Sequence, residues 1–557
     1  MGAVSGMDAL ARGPDGFRGV FRTDARARAV YSEGAGIAQI VPDAVAVPAD
    51  AEDVVTLVRW AAAAHVPIVP RGSASSMANG AVGRGVALDL SRLDWIDAVD
   101  AARASVRCGP GALRDAVNTA AGAHQLRFAV DPSSGAFCTM GGMAATNAAG
   151  TRTVKLGAMR AWVRGLDCVF ADGSRAWVRR GEPRPRVEAL RTFQRDVARD
   201  AMDRGETLVR PGVRKESSGY ALAEYLRSGD LVDLLIGSEG TLAIFVGLEL
   251  ALAPVPAARA SLLASFMTLE SAVQGAGRCT ELGASAVELL DRTFLAVVRT
   301  EAASLSIPAE AEAVLLIEAE GDTPSAADTL ALRLADACRR AQAAQVVSAP
   351  DEATAARIWR IRHAASPILG KLDPHLASMQ LIEDGAVPPE RFPDYVRGVR
   401  AALDRHRVRG VIFGHAGDAH AHVNALIDVR DADWRERARA LLDDVTGLVA
   451  FLGGTLAAEH GDGRLRTPLM FRVWDARAMA LFVRVKQAFD PLDILNPGVK
   501  VPRAGADPLA SVKYDLTLPP LPAEARAALD RVVQDRDWAA YRLGLLPEGG
   551  DRETRGT

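Results

Sequence analysis

Apolar positions along the chain fall into short strand-like clusters separated by longer helical stretches. Residues 45–47 and 66–69 read as strands, with a helix from about 52 to 64 between them and Asp50 placed to cap it. This β-α-β start leads into a glycine- and serine-rich loop, PRGSASSMANG. Strands are expected next at 86–90, 95–99 and 105–108, then a helix at about 112–121. The segment 131–150, DPSSGAFCTMGGMAATNAAG, concentrates small residues so densely that a bulky ligand or a tight backbone approach is the natural explanation. Phe137, Met140 and Met143 within it argue against a loose linker. A second small-residue run, LLIGSEGTLAIFV at 234–246, sits between two apolar strands and closes the first domain. The arginine-rich, acid-laced stretch 179–215 lacks a strong apolar face over its first part and is expected to form a solvated helix with connecting loops.

From about 256 to 480 the pattern changes to strand-like 261–267, helix-like 269–282, strand-like 313–318 and a helix around 326–343. Such alternation predicts a second α+β domain packed over the first. A helix at 476–489 and the turn DPLDILNPGVK follow, and the proline-rich, charged tail from about 517 is expected to be peripheral.

A chain of 557 residues is too long for one ordinary core. With 49% hydrophobic and 24% charged residues it is a folded globular protein, and a net charge of −3 argues against nucleic acid or an anionic membrane as the main partner. Small molecules are the expected partners. The five cysteines are far apart and form no CxxC pair, which fits a reducing compartment and excludes the usual cysteine runs of iron–sulfur ligation. The N-terminus has no apolar signal core and no uninterrupted apolar stretch reaches the roughly 18 residues of a membrane span, so a cytoplasmic location without a transmembrane segment is expected.

Candidate chemistry concentrates in GHAGDAHAHVN at 414–424 and in Glu459-His460 of GGTLAAEHGDGR. If 411–413 is a buried strand, Gly414, Gly417 and Asp418 make a turn and 421–426 returns as a second strand. His420, His422 and Asn424 then share one face, and Ala421, Val423 and Ala425 the other. Two imidazoles and a carboxylate suit a divalent transition metal with an open position, and a further imidazole is left for proton transfer. Glycines in the 71–85 loop and the 131–150 segment would let backbone N–H groups approach a phosphate-bearing cofactor. Neither segment reads G-x-G-x-x-G after a strand, which excludes the Rossmann fingerprint.

The ordered set PRGSASS, PSSGAFCTMGGMAATNAAG, RKESSGYAL, GSEGTLAI, FGHAGDAHAHVN, AAEHGDGR and FDPLDILNPGVK closely resembles the FAD-linked oxidases of the vanillyl-alcohol-oxidase (PCMH-type FAD-binding) fold, most of all the branch of D-lactate and D-2-hydroxyglutarate dehydrogenases. The likeness covers roughly residues 40–503. It implies an α+β fold: a lead-in segment 1–39, a two-part FAD-binding domain 40–255, an α+β substrate and cap domain 256–480, a helical C-terminal return 481–516 and the tail 517–557. Carried over, Arg71, Gly72, Ser73, Ser75 and Ser76 would wrap the pyrophosphate of non-covalent FAD. Pro132, Ser133, Ser134, Thr139, Gly141, Gly142, Ala145, Asn147 and Gly150 would line pyrophosphate and flavin. Glu239, Gly240 and Ile244 would hold the adenosine side or its neighbourhood, and Asn496 would touch the flavin ring. His415, His422 and Glu459 would bind one divalent metal, zinc or manganese, with His460 as general base, Asn424 assisting at the substrate, and Arg362 and Ser366 gripping its carboxylate.

The implied reaction is oxidation of a D-2-hydroxy acid to the 2-oxo acid. Where relatives commonly show GDGNLH this chain has GDAHAH, so His420 stands at an Asn position as a fourth ligand, a hydrogen-bonding neighbour or neither. A lysine that helps bind the distal carboxylate in some 2-hydroxyglutarate enzymes has no clear match in MQLIEDGAVP, although Lys371 and Gln380 lie nearby. Large relatives carry an iron–sulfur module after this part; without it electrons leave to a separate acceptor, a quinone, an electron-transfer flavoprotein, a cytochrome or an iron–sulfur protein. A homodimer is compatible with this reading. The competing readings are a non-redox flavin enzyme of the same fold, such as an ether-lipid synthase, and a flavin-binding subunit of a glycolate-oxidase-like complex.

Overall fold

The computed structural model describes residues 6–547 apart from 204, 299–304, 306 and 373–374, and its backbone is organised around three main sheets. In the first, Ala44–Val47, Val86–Asp89 and Ile68–Arg71 run parallel, and Val20–Arg22 of the lead-in segment adds antiparallel to Ala44–Val47. The crossover helix Ala51–Ala64 starts where the Asp50 carboxylate accepts the N–H groups of Glu52 and Asp53, and it buries Val54, Leu57, Val58 and Ala61 on the sheet. Strands covered in this way are apolar throughout rather than alternating.

The second sheet is antiparallel, in the order Ser105–Cys108, Ile244–Ala251, Val163–Val169, Arg175–Arg179. The strand expected at 95–99 does not form; Ile96 makes only an isolated bridge to Cys108. The helix expected from 112 begins at Arg114, because Leu113 is in a bridge with Thr139. The stretch 179–215 is less solvated than expected. Its helices Glu188–Asp196 and Ala198–Met202 bury Leu190, Phe193, Ala198 and Ala201, and the Phe193 ring lies 5.7 Å from Phe489 of the returning helix Ala476–Phe489.

The third sheet carries the histidines. Its strands run Gln345–Ser348, Ala258–Phe266, Ala313–Gly321, Ala286–Asp291, Arg409–His415, His420–Asp428, Leu376–Met379, with Gly385–Ala386 also on His420–Asp428. Period-two alternation splits the sheet into two apolar faces. Leu262, Leu289, Leu315, Ile412 and Val423 pack under the helices Leu269–Glu281, Pro324–Arg340, Phe392–Arg405 and Trp434–Phe451. Leu263, Leu290 and Leu316 meet Ile358 and Ile361 of the helix Glu352–Leu372 on the other face.

The tail is not peripheral. Its helix Ala523–Asp535 buries Ala525 and Ala528 against Ala29 and Val30 of the helix Ala25–Val30 and against Tyr31, which caps it. Among the described residues, no helix is long and apolar enough to cross a membrane.

Candidate active site

A cavity of about 1130 Å³ is walled on one side by the glycine-rich segments and on the other by the third sheet. Arg71, Gly72, Ser73, Ser75 and Ser76 line it, as do Pro132, Ser133, Ser134, Thr139, Gly141 and Gly142. Ala145, Gly150, Glu239, Gly240 and Ile244 complete that side. A Cβ on Gly72 would fall 2.0 Å from Thr139 Oγ1, one on Gly141 2.5 Å from Pro110 Cβ, and one on Gly150 2.4 Å from the Asp131 carbonyl carbon. Gly72 lets the two segments close on each other, Gly141 lets the second approach Pro110, and Gly150 lets it fold back on its own start. Gly142 differs, since its nearest neighbour is Thr139 Oγ1 at 3.0 Å and it otherwise faces the cavity. Ser76 Oγ, also on the wall, is buried without a hydrogen-bond partner. A small-residue cradle with an unmatched hydroxyl, at this volume, fits a dinucleotide-sized cofactor such as FAD.

Two residues expected at the flavin do not line the cavity. Asn147 ends the helix Met140–Thr146 at φ 53 and accepts the Arg160 N–H at 3.0 Å. Asn496 donates to the carbonyls of Gly80 at 3.0 Å and Glu239 at 2.8 Å and accepts from Arg464 at 2.8 Å. Both hold backbone in place. Arg71 lines the wall while its guanidinium donates to the Tyr31 carbonyl at 2.9 Å. Glu239 has a similar double position: its carboxylate accepts the N–H groups of Asp462 at 2.8 Å and Gly463 at 3.0 Å, tying GSEG to the loop that carries His460.

The strands Arg409–His415 and His420–Asp428 pair so that Phe413 faces His422 and His415 faces His420, across the turn Ala416–Asp418 with Ala419 at φ 52. His422 and Asn424 fall on the Phe413 side, and both line the cavity with His415, Glu459, His460 and Arg362. The Nε2 atoms of His415 and His422 are 3.4 Å apart, and each looks at Glu459 Oε1, at 3.5 and 3.3 Å. Each imidazole is held from behind. His415 Nδ1 lies 2.5 Å from Glu288 Oε1, and His422 Nδ1 2.9 Å from the Glu383 carbonyl. This leaves Nε2 as the inward atom on both rings, the arrangement of paired metal ligands. Ligand atoms of His415, His420, His422 and Glu459 all lie within 4.8 Å of one another, and those of Glu383, Asp384, His422 and His460 form a second such group.

His420 is fully buried and does not line the cavity. Its Nε2 lies 2.9 Å from Asp384 Oδ1 without the alignment of a hydrogen bond, and burial followed by neighbouring His422 pushes its pKa down to about 3. A neutral ring behind the cluster results.

His460 Nδ1 meets Glu383 Oε2 at 2.7 Å, while its Nε2 lies 3.5 Å from Glu459 Oε1. Burial disfavours the charged ring, but Glu383 and Asp384 outweigh it and raise His460 to about 10; Glu288 likewise outweighs burial at His415, raising it to about 9. In the metal-free cluster the carboxylates favour the charged form of both rings; a bound metal would neutralise the same carboxylates and favour the neutral rings that ligation and proton acceptance need. Buried Lys215 joins the cluster, with Nζ 3.0 Å from Glu459 Oε2 and 3.3 Å from Asp418 Oδ2. Arg362 Nε donates to Glu288 Oε2 at 2.7 Å, and its guanidinium lies 4.5 Å from the centre of the Phe413 ring. Ser366 belongs to the same helix, and its side chain lies outside the described residues.

Glu288, Glu383, Asp384 and Lys215 went unassigned in the sequence. LIEDG and RKESSGYAL mark the places of three of them, but Glu288 sits in an ordinary apolar strand and only the pairing of Glu288 with His415 singles it out.

Residues 42–179 match the model of an FAD binding domain and residues 255–499 that of the FAD linked oxidases, C-terminal domain. The chain is 28% identical to the glycolate oxidase subunit GlcD of Bacillus subtilis over 464 residues, 83% of this chain and 89% of that one. It is 30% identical to a D-2-hydroxyglutarate dehydrogenase of Xanthomonas citri pv. viticola over 470 residues, 82% and 89% of the two chains. The 4-ethylphenol oxidase from Gulosibacter chungangensis in its isoeugenol complex shares the fold, with a TM-score of 0.63 over 89% of this chain and 96% of that one at 16% identity. With both domains matched in order and the glycine-rich cradle in place, the chain belongs to the FAD-linked oxidase family.

Proposed function

We propose that this protein is an FAD-dependent dehydrogenase that oxidises a D-2-hydroxy acid, of the D-lactate or D-2-hydroxyglutarate type, to the 2-oxo acid. The observation that carries the reading is that His415, His422, Glu459 and His460 converge on the wall of the same cavity as the glycine-rich segments. The names of the relatives, a D-2-hydroxyglutarate dehydrogenase and a glycolate oxidase subunit, point to the same substrate class.

The segments 71–76, 132–150 and 239–244 hold FAD without a covalent link, and bound FAD supplies the hydride acceptor. His415, His422 and Glu459 hold one divalent ion, zinc or manganese, which supplies the Lewis acidity that makes the substrate hydroxyl easier to deprotonate. The chain's own groups do the rest. Arg362 faces the substrate carboxylate from its seat on Glu288, with Ser366 on the same helix, and Asn424 offers an amide beside His422. His460 takes the hydroxyl proton at Nε2, because Nδ1 is engaged by Glu383. Electrons then pass to a separate acceptor.

A bare flavin-carrying subunit has no need of four converging ligand-type side chains, which favours the catalytic reading. Anaerobic mixing of the purified protein with D- and L-2-hydroxy acids tests it: bleaching of the flavin by a D-acid is expected, and a flavin that stays oxidised with every acid sinks the proposal.

A further inference from the structure

Beyond the matched domains, which end at residue 499, the chain returns to the cavity. Lys513, Tyr514, Gln534, Arg536 and Trp538 stand on its wall together with Phe137 and the 71–76 loop. Their placement is anchored. Arg526 pairs with Glu33 at 2.7 Å, Glu524 with Arg26 at 2.8 Å, and the Arg92 guanidinium lies 5.1 Å from the centre of the Tyr541 ring. Lys513 Nζ donates to the Gly34 carbonyl at 3.3 Å, and a Cβ on Gly34 would come 2.8 Å from the carbonyl oxygen of Ala74, in the expected pyrophosphate loop. The Arg536 guanidinium lies 6.0 Å from the centre of the Phe137 ring.

The chemistry of this wall is distinctive. Among the described residues neither Lys513 nor Arg536 has a carboxylate within 4.0 Å, whereas Arg526 on the adjoining helix pairs with Glu33 and Asp530. Behind them Arg542 is 3% exposed with neither terminal nitrogen hydrogen-bonded, and burial together with Arg71 lowers it to about 10. Unneutralised cations interleaved with Tyr514 and Trp538 suit a ligand that is both flat and polyanionic.

We propose that the tail is part of the cofactor site, Trp538, Arg536 and Lys513 retaining FAD through ring contact and charge; this rests on the flavoprotein reading above. The tail takes no part in the chemistry of the substrate. Its role is to slow the escape of the cofactor.

The test is the rate of FAD release from the holo-protein after dilution into flavin-free buffer, followed by flavin fluorescence, for Trp538→Ala, Arg536→Gln and the double variant. Arg531→Ala, on the helix Ala523–Asp535 that leads into them but off the cavity, is the control. The double variant is expected to release FAD about tenfold faster, with the control at the wild-type rate and apo-protein melting unchanged in both. Added salt should speed release from the wild type and have less effect on Arg536→Gln, because an exposed cation is screened. If the double variant fails to fold, the exposed Arg536→Gln alone decides through its salt dependence. Wild-type release and wild-type salt response in folded variants overturn this proposal and leave the flavoprotein reading standing. Wild-type protein that takes up no FAD overturns both.

Discussion

Glu383 Oε2 lies 2.7 Å from His460 Nδ1, so the other ring nitrogen, Nε2, is the one turned towards Glu459. A carboxylate behind an imidazole fixes the tautomer and raises its basicity. Asp384 completes the grip, its Oδ2 accepting the backbone N–H of His460 at 2.9 Å, and Arg466 neutralises Glu383 through a direct ion pair.

Glu383→Gln keeps the shape and removes the charge. Compared above both ionisations, where the ring is neutral in each protein, flavin reduction by a D-2-hydroxy acid should slow by about 10–100-fold. Burial lowers the pKa of His460, and Glu383 is the largest influence that raises it, to about 10, so losing the carboxylate lowers it. A base must be neutral to act, so the rate should still rise with pH but through an ionisation at lower pH. A rate and profile identical to wild type would detach Glu383 from the base.

His460→Ala should retain FAD and metal while losing about 10²–10⁴-fold in flavin reduction, the usual range for removing a general base. Metal content decides between roles, because His460 also belongs to the second ligand-type group with Glu383, Asp384 and His422. A variant that loses its metal makes His460 a ligand instead.

Chelation should abolish turnover with FAD still bound, and zinc or manganese should restore it. Elemental analysis should find one ion per chain in the wild type and none in Glu459→Ala. Full activity in metal-free protein would remove His415, His422 and Glu459 from a metal role.

Lys500 is fully buried, with Nζ 3.0 Å from Glu239 Oε1, 3.1 Å from Asp462 Oδ2 and 2.6 Å from the Ser217 carbonyl. Lys500→Met strands two buried carboxylates and should cost about 3–5 kcal/mol in chemical denaturation. A loss below about 1 kcal/mol would mean that water or protonation replaces the lysine easily.

Gly240 has φ +72, and a Cβ there would meet Pro70 Cγ at 2.4 Å. Gly240→Ala should therefore destabilise the protein by about 1–3 kcal/mol, through left-handed strain and overpacking. Unchanged urea unfolding would show that the 68–71 strand can move aside.

The sequence by itself determined the local devices: the Asp50-capped crossover helix, the glycine cradle, and the hairpin that puts His422 and Asn424 on one face, opposite Val423. These depend on capping, on the absence of a Cβ and on the two-residue period of a strand, all properties of neighbouring residues. Tertiary structure alone decided which charges meet. Glu288 reaches His415 from 127 positions away and Lys215 reaches Glu459 from 244. It also turned the outward-looking helix at 188–196 into a buried face against Phe489, took Asn147 and Asn496 off the cavity wall, and brought the tail onto it. Pattern along a chain encodes which face a side chain occupies; which distant face it meets follows only once the sheets have packed and buried charges have had to find partners.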